Sequence, residues 1–192
     1  TNTIKRLVVP SVVAFVITSM TSASSVDSVE IARTHIANLV RNSGHQCSSA
    51  TAIQHNPTTF YARPCSFSTL TYTYCCLRYG LVDFDLSVIP EDAEITSVSL
   101  KVHGIECEPY CPDMMGIGGG TSYGTLTTAL ETPLNAVVEE VPHPGHLEEI
   151  ELPLDPDALA SAHASTGWFA VLLSPRSYWG AQMQSEPTLV VE

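Results

Sequence analysis

The stretch Leu77-Arg-Tyr-Gly-Leu-Val-Asp-Phe-Asp-Leu-Ser-Val-Ile-Pro-Glu-Asp-Ala-Glu-Ile-Thr-Ser-Val-Ser-Leu-Lys-Val-His-Gly-Ile105 decides the fold. From Leu81 onward it alternates. Val82, Phe84 and Leu86 fall on one face, and Asp83, Asp85 and Ser87 on the other. Pro90-Glu91-Asp92 is turn chemistry, because proline presets φ and the acid bonds its own backbone. Beyond the turn, Thr96, Val98, Leu100 and Val102 share one face, and Ile95, Ser97, Ser99, Lys101 and His103 the other. A period of two marks half-buried strands. The stretch reads as strand, tight connection, strand, a hairpin at the centre of the chain.

The same residues carry a resemblance. Phe84-Asp85-Leu86-Ser87, then Pro90, then Ala93-x-Ile95-Thr96-Ser97-Val98-x-Leu100, resembles the signature of DNRLRE-type domains. An acidic strand at Leu147–Leu152, a short helix at Pro156–Ala160, Gly167-Trp168-Phe169 opening an apolar strand and Pro187–Val191 are similar in kind and order to that family's second half. The resemblance covers roughly residues 60–192. It implies a secreted β-sandwich of the jelly-roll kind, similar to some alginate-binding carbohydrate-binding modules.

Apolar residues make up 44 % of the 192, enough for a core. Eight basic side chains stand against 20 acidic ones, a formal charge of −12. Nucleic acid draws most of its affinity from a basic face, so it is excluded as a partner, and so is anionic lipid. Six cysteines (Cys47, Cys65, Cys75, Cys76, Cys107 and Cys111) make an even set. In a chain with secreted character they predict disulfides, with the pairing left open. Cys75 and Cys76 are adjacent and point to opposite faces if they lie on a strand, so each needs its own partner. Zinc needs tight cysteine pairs in duplicate, and the sequence has none.

Lys5-Arg6 precede the apolar run Leu7–Ile17, and small polar residues follow it to Ser25. Alone, this is the pattern of a secretory signal. It is short for a membrane span, which takes about 20 residues. Kept on the folded chain, such a run needs a partner to bury it. Leu7, Val8, Val12, Val13, Phe15, Val16 and Ile17 are the candidate assembly residues, and the partner is another copy of the chain. Its β-branched content suits a donor strand added to a neighbour's sheet. Its all-round apolarity suits a buried helix, loosely similar to pilins and archaeal flagellins. Val29, Ala32, Ile36, Leu39 and Val40 continue at helical spacing, with Ser25 or Asp27 as cap and Gly44 as stop. The helical reading is favoured over the strand.

His45–Pro64 is polar, carries Asn56-Pro57 and Arg63-Pro64, and reads as a linker. Phe67–Tyr74, Tyr123–Leu130 and Ala136–Val141 read as strands, and Cys107–Gly120 as a turn-rich loop. The predicted organisation is an assembly segment over 1–44, a linker over 45–64 and a jelly-roll-like sandwich over 65–192.

Several motifs could carry chemistry, and each has a plainer reading. Gly120-Thr121-Ser122-Tyr123-Gly124 matches a nucleophile elbow but lacks the strand before it and the helix after it. His143 and His146 flank a Pro-Gly turn with no third ligand nearby. Glu139-Glu140 and Glu148-Glu149 are adjacent pairs, which on a strand point apart rather than across one sugar. Asp83 and Asp85 are the only suggestion of calcium, which prefers clustered oxygens; no other cofactor is expected. Trp168 heads an apolar strand and reads as core. Tyr178 and Trp179 follow Pro175-Arg176-Ser177 in a loop and are the candidate sugar contacts, with Tyr110 a lesser one.

The expectation is a non-enzymatic structural subunit of an extracellular filament or cell-surface assembly, built from copies of itself. The alternative is a secreted carbohydrate-binding module whose partner is a polysaccharide.

Overall fold

The computed structural model describes residues 28–43, 52–57, 59–64, 67–69, 72–108, 114–142, 149–174, 180–184 and 186–192. Strands come first in order: β1 (Val29–Ala32), β2 (His35–Ser43), β3 (Ala52–His55), β4 (Thr59–Pro64), β5 (Phe67–Thr69), β6 (Tyr72–Asp85), β7 (Val98–Glu108) and β8 (Met114–Thr121). A 3-10 turn at Thr128–Leu130 leads into helix α1 (Glu131–Ala136). Then come β9 (Glu139–Pro142), β10 (Glu149–Pro153), helix α2 (Pro156–Ser165), β11 (Trp168–Ser174), β12 (Gly180–Gln184) and β13 (Thr188–Val191).

These form a mainly β sandwich of two antiparallel sheets. The first runs β1-β13-β7-β10. The second runs β9-β8-β11-β6-β2-β3. The far ends of β7 and β6 are bridged by β12 and β4, so the sheets join along one side. Among the described residues no helix is long and apolar enough to cross a membrane.

The alternation at 82–102 is what closes the sandwich. Val82, Phe84 and Leu86 meet Val98, Leu100 and Val102 in the core between the sheets, with Phe169, Val171 and Leu173. The expected hairpin does not form: β6 and β7 belong to different sheets, and residues 86–97 cross between them. Both strands turn an apolar face inward, and facing each other buries both.

The second sheet also has a covered outer face. Ala37, Leu39, Tyr79, Leu81, Ala170 and Leu172 pack there against Leu126, Leu130 and Leu134. The strand expected at Tyr123–Leu130 is instead this cover. Leu126 lies in the loop before the 3-10 turn, Leu130 ends that turn and Leu134 lies on α1, so together they make a lid and not a pleat. Of Ala136–Val141 only the end is strand, as β9. Burial on both faces explains the unbroken apolar run of β11.

It also explains the main correction. Residues 29–43 are β1 and β2, not a helix. Ile36 enters the inter-sheet core while Ala37 and Leu39 enter the outer one. A strand buried on both sides has no period of two, and its β-branched residues favour extension. The stretch read as a linker supplies β3 and β4.

The turn-rich loop expected at Cys107–Gly120 is replaced at its end by β8. A Cβ on Gly118 would lie 2.4 Å from the Leu134 carbonyl oxygen, and one on Gly119 would lie 2.4 Å from Phe169 Cζ. Glycine here lets α1 approach one face of β8 and Phe169 the other.

Candidate functional site

At one end of the sandwich the 86–97 crossing passes beside the C-terminal turn of α2. Asp155 caps that helix, its carboxylate accepting from Asp157 N–H at 2.9 Å, and Pro156 opens it. At the other end Gly167, at φ 72°, closes it in the left-handed region and turns the chain into β11. The Gly167 carbonyl accepts from Leu86 N–H at 2.9 Å, which fixes the two segments side by side.

Between them lies an open groove of about 630 Å³ lined by Asp85, Ser87, Glu91, His163, Thr166 and Trp168, with Leu86 and Ile89 as floor. That is within the size range of small-ligand sites, about 300–1,000 Å³. Asp85 lies opposite Trp168 in register and accepts from Ser87 N–H at 2.9 Å. His163 Nε2 donates to the Ile89 carbonyl at 3.1 Å. The lining carries two carboxylates, Asp85 and Glu91, and no lysine or arginine.

Behind Trp168 sits a second arrangement. Asp83 is fully buried on the outer face of β6. Its Oδ1 accepts from the His35 backbone N–H at 3.0 Å and lies 2.9 Å from His35 Nδ1. Its backbone carbonyl accepts from Thr34 N–H, and Thr34 Oγ1 accepts from Asp85 N–H. These bonds pin the point where the chain passes from β1 into β2. Asp83 Oδ2 has no hydrogen-bond partner among the described residues. Burial pushes the Asp83 carboxyl above its ordinary value, and the bond and charge of His35 partly offset this. The half-exposed His35 ring stacks on Trp168, with centroids 6.0 Å apart and planes 25° apart. Gly124, at φ 69°, packs against Trp168 as well; a Cβ there would fall 2.8 Å from its Cε2.

Compared with protein-family models and with curated proteins, this chain matches none.

Of the residues singled out from sequence, Trp168 and Asp85 meet at the groove. Asp83 and Asp85 share one face of β6, Asp83 buried and Asp85 partly exposed, and among the described residues no group of three or more acids, histidines or cysteines gathers as a metal site. Ser122 follows β8 and donates its N–H to the Trp168 carbonyl. Its hydroxyl is buried, and a loop follows it in place of the elbow's helix. Glu139, Glu140 and Glu149 are exposed on strands.

Other candidates lie outside the described residues. They are the assembly residues Leu7, Val8, Val12, Val13, Phe15, Val16 and Ile17; Cys47, Cys65 and Cys111; His143 and His146; and Tyr110, Tyr178 and Trp179. Cys75, Cys76 and Cys107 are described as strand backbone only. His35, Glu91 and His163 were missed, since each is an isolated polar residue that gains meaning only from what folds beside it.

Proposed function

We propose that the chain is a non-catalytic binding module that takes an uncharged glycan in the groove beside Trp168. The observation that carries this is the lining. One aromatic ring forms an apolar wall, and Asp85, Glu91, Ser87, Thr166 and His163 surround it with acceptors and hydroxyls. Polyhydroxylated rings need that combination: an apolar surface for their C–H face and several hydrogen-bond partners around it. The resemblance at Phe84–Leu100 to secreted carbohydrate-binding sandwiches supports the same reading. The two lining carboxylates, with no lysine or arginine beside them, repel a polyanion, so alginate-like chains are a poor fit.

The test is titration calorimetry with neutral chito- and gluco-oligosaccharides against alginate oligomers. Binding of a neutral oligomer, weakened at least about tenfold in Glu91→Gln or Asp85→Asn, is expected, since hydrogen bonds to charged groups contribute about 1.5–3 kcal/mol. Preference for alginate, or indifference to both substitutions, would overturn the proposal.

A second reading, self-assembly at a cell surface, is supported by one observation. Val29, where β1 begins, borders a small apolar groove formed with Ile89, Pro90, Ala93, Ile95 and Val191 at the edge of the first sheet. This groove lies at an edge of the first sheet, where an apolar strand or helix from another copy could be received.

A further inference from the structure

We propose that the Asp83–His35 pair is a proton-operated support for Trp168, so that the groove holds its ligand more tightly as pH falls. The inference rests on the glycan reading for its ligand, and on the geometry behind Trp168 for its mechanism.

Three observations carry it. Asp83 is sealed from solvent and satisfied at one oxygen only, by the backbone and ring of one residue. A buried carboxylate with a free oxygen is costly unless a cation pairs with it. The same ring that bonds the carboxylate also lies against the indole that lines the groove.

With Nδ1–H donating to Asp83 Oδ1, neutral His35 keeps its lone pair on Nε2. A proton arriving at Nε2 makes the ring an imidazolium. The pair then carries no net charge, and the indole faces a cation instead of a neutral ring. Cation–π attraction and the ion pair both tighten the stack. Loss of the proton leaves an uncompensated buried anion and a weaker stack, and Trp168 gains freedom. His35 acts through Trp168 and is a positioning residue.

Among the described residues, Arg78 and Tyr79 lie further along β6 and Glu131 opens α1, each with partners of its own. Asp85 on β6 adds a like charge to Asp83. Arg33, between β1 and β2, is engaged by Glu186 at 3.5 Å. Tyr123 on the loop that carries Gly124 is exposed. On β3, His55 lies opposite Ala37. Across the groove are Glu91 and His163. The test therefore spans about pH 8 to about pH 5, the range in which imidazole side chains in general change charge.

The test uses the full chain with Trp179→Phe, which leaves Trp168 as the sole tryptophan. Its emission is followed from about pH 8 to about pH 5, and binding of a neutral chito-oligosaccharide by the parent chain is measured at both ends. A sigmoidal change in emission is expected, with about two- to fivefold tighter binding at the acidic end, the range a cation–π contact at a partly exposed site supplies. His35→Gln should flatten both profiles while circular dichroism shows a folded chain. Asp83→Asn, which keeps an acceptor and removes the anion, should move the midpoint to lower pH. Should His35→Gln fail to fold, the imidazole resonances of the parent chain report the same titration. An emission profile that is flat, or that persists in His35→Gln, overturns the proposal. Binding that is pH-independent across the window overturns it too, and leaves the groove standing. An emission change without binding at any pH supports the support and sinks the glycan reading instead.

Discussion

Gly118→Ala tests how the outer face of the second sheet is closed. The added methyl would stand 2.4 Å from the Leu134 carbonyl oxygen and 3.0 Å from Val138 Cγ2. The oxygen is backbone of α1 and cannot swing aside, so the helix must move. Forcing an extra carbon into a packed site costs about 1–3 kcal/mol. Alanine returns about 0.5–1 kcal/mol relative to glycine in a strand. The net expectation is a loss of about 1–2 kcal/mol. If α1 lifts away altogether, Leu130 and Leu134 lose their burial, at about 1.5–3 kcal/mol each.

Urea unfolding measures the loss, and the slope separates the two cases. A lower midpoint with an unchanged slope means adjustment, and a changed slope means a lid that has come off. Gly120→Ala is the comparison, because its methyl meets only the movable Leu134 Cδ2 at 3.0 Å. It should cost less than about 0.5 kcal/mol, as substitutions away from rigid contacts do. If Gly118→Ala is no worse than Gly120→Ala, the reasoning about α1 and β8 fails.

Three further outcomes are expected. Asp83 carries a carboxyl raised above 3.8 chiefly by burial, so its contribution to stability is full below the unfolded value and is lost as pH rises through the folded one. Wild type should therefore gain on Asp83→Asn as pH is lowered toward the unfolded value, and a stability difference that is constant with pH refutes this. Deleting residues 1–20, or making Phe15→Asp, should leave a folded monomer if Leu7–Ile17 joins subunits; sedimentation that shows the same assembly as the parent removes the self-assembly reading. Alkylation before and after reduction, read by mass, should find no free thiol among the six cysteines, and six reactive thiols in the native chain would count against an extracellular setting.

Sequence pattern revealed the parts of this fold in which one face is wet. β7 lies where its alternation puts it, and the short helix and last strand that the resemblance implied at Pro156–Ala160 and Pro187–Val191 form as α2, which runs on to Ser165, and β13. It misled where both faces are covered. β2 mimics a helix because Ile36, Ala37 and Leu39 serve two different cores. β8 mimics a loop because its glycines answer to Leu134 and Phe169, neither of them a sequence neighbour. The candidate site was legible only as separate residues. Trp168 and Asp85 drew notice as an aromatic and an acid, but nothing local links them to His163, Glu91 or His35. The antiparallel pairing of β11 with β6 does.

The groove's walls come from just two short pieces of chain, 85–91 and 163–168, clasped together by the bond from Leu86 N–H to the Gly167 carbonyl. Ser87 and Glu91 are exposed and take no part in either core. If the groove binds a glycan as proposed, selection can change that preference by editing a few loop positions, while the sheets beneath stay as they are. On that reading, grafting these two pieces together onto another sandwich of the same register would carry the groove but not the Asp83–His35 support behind Trp168, and grafting either alone would carry neither.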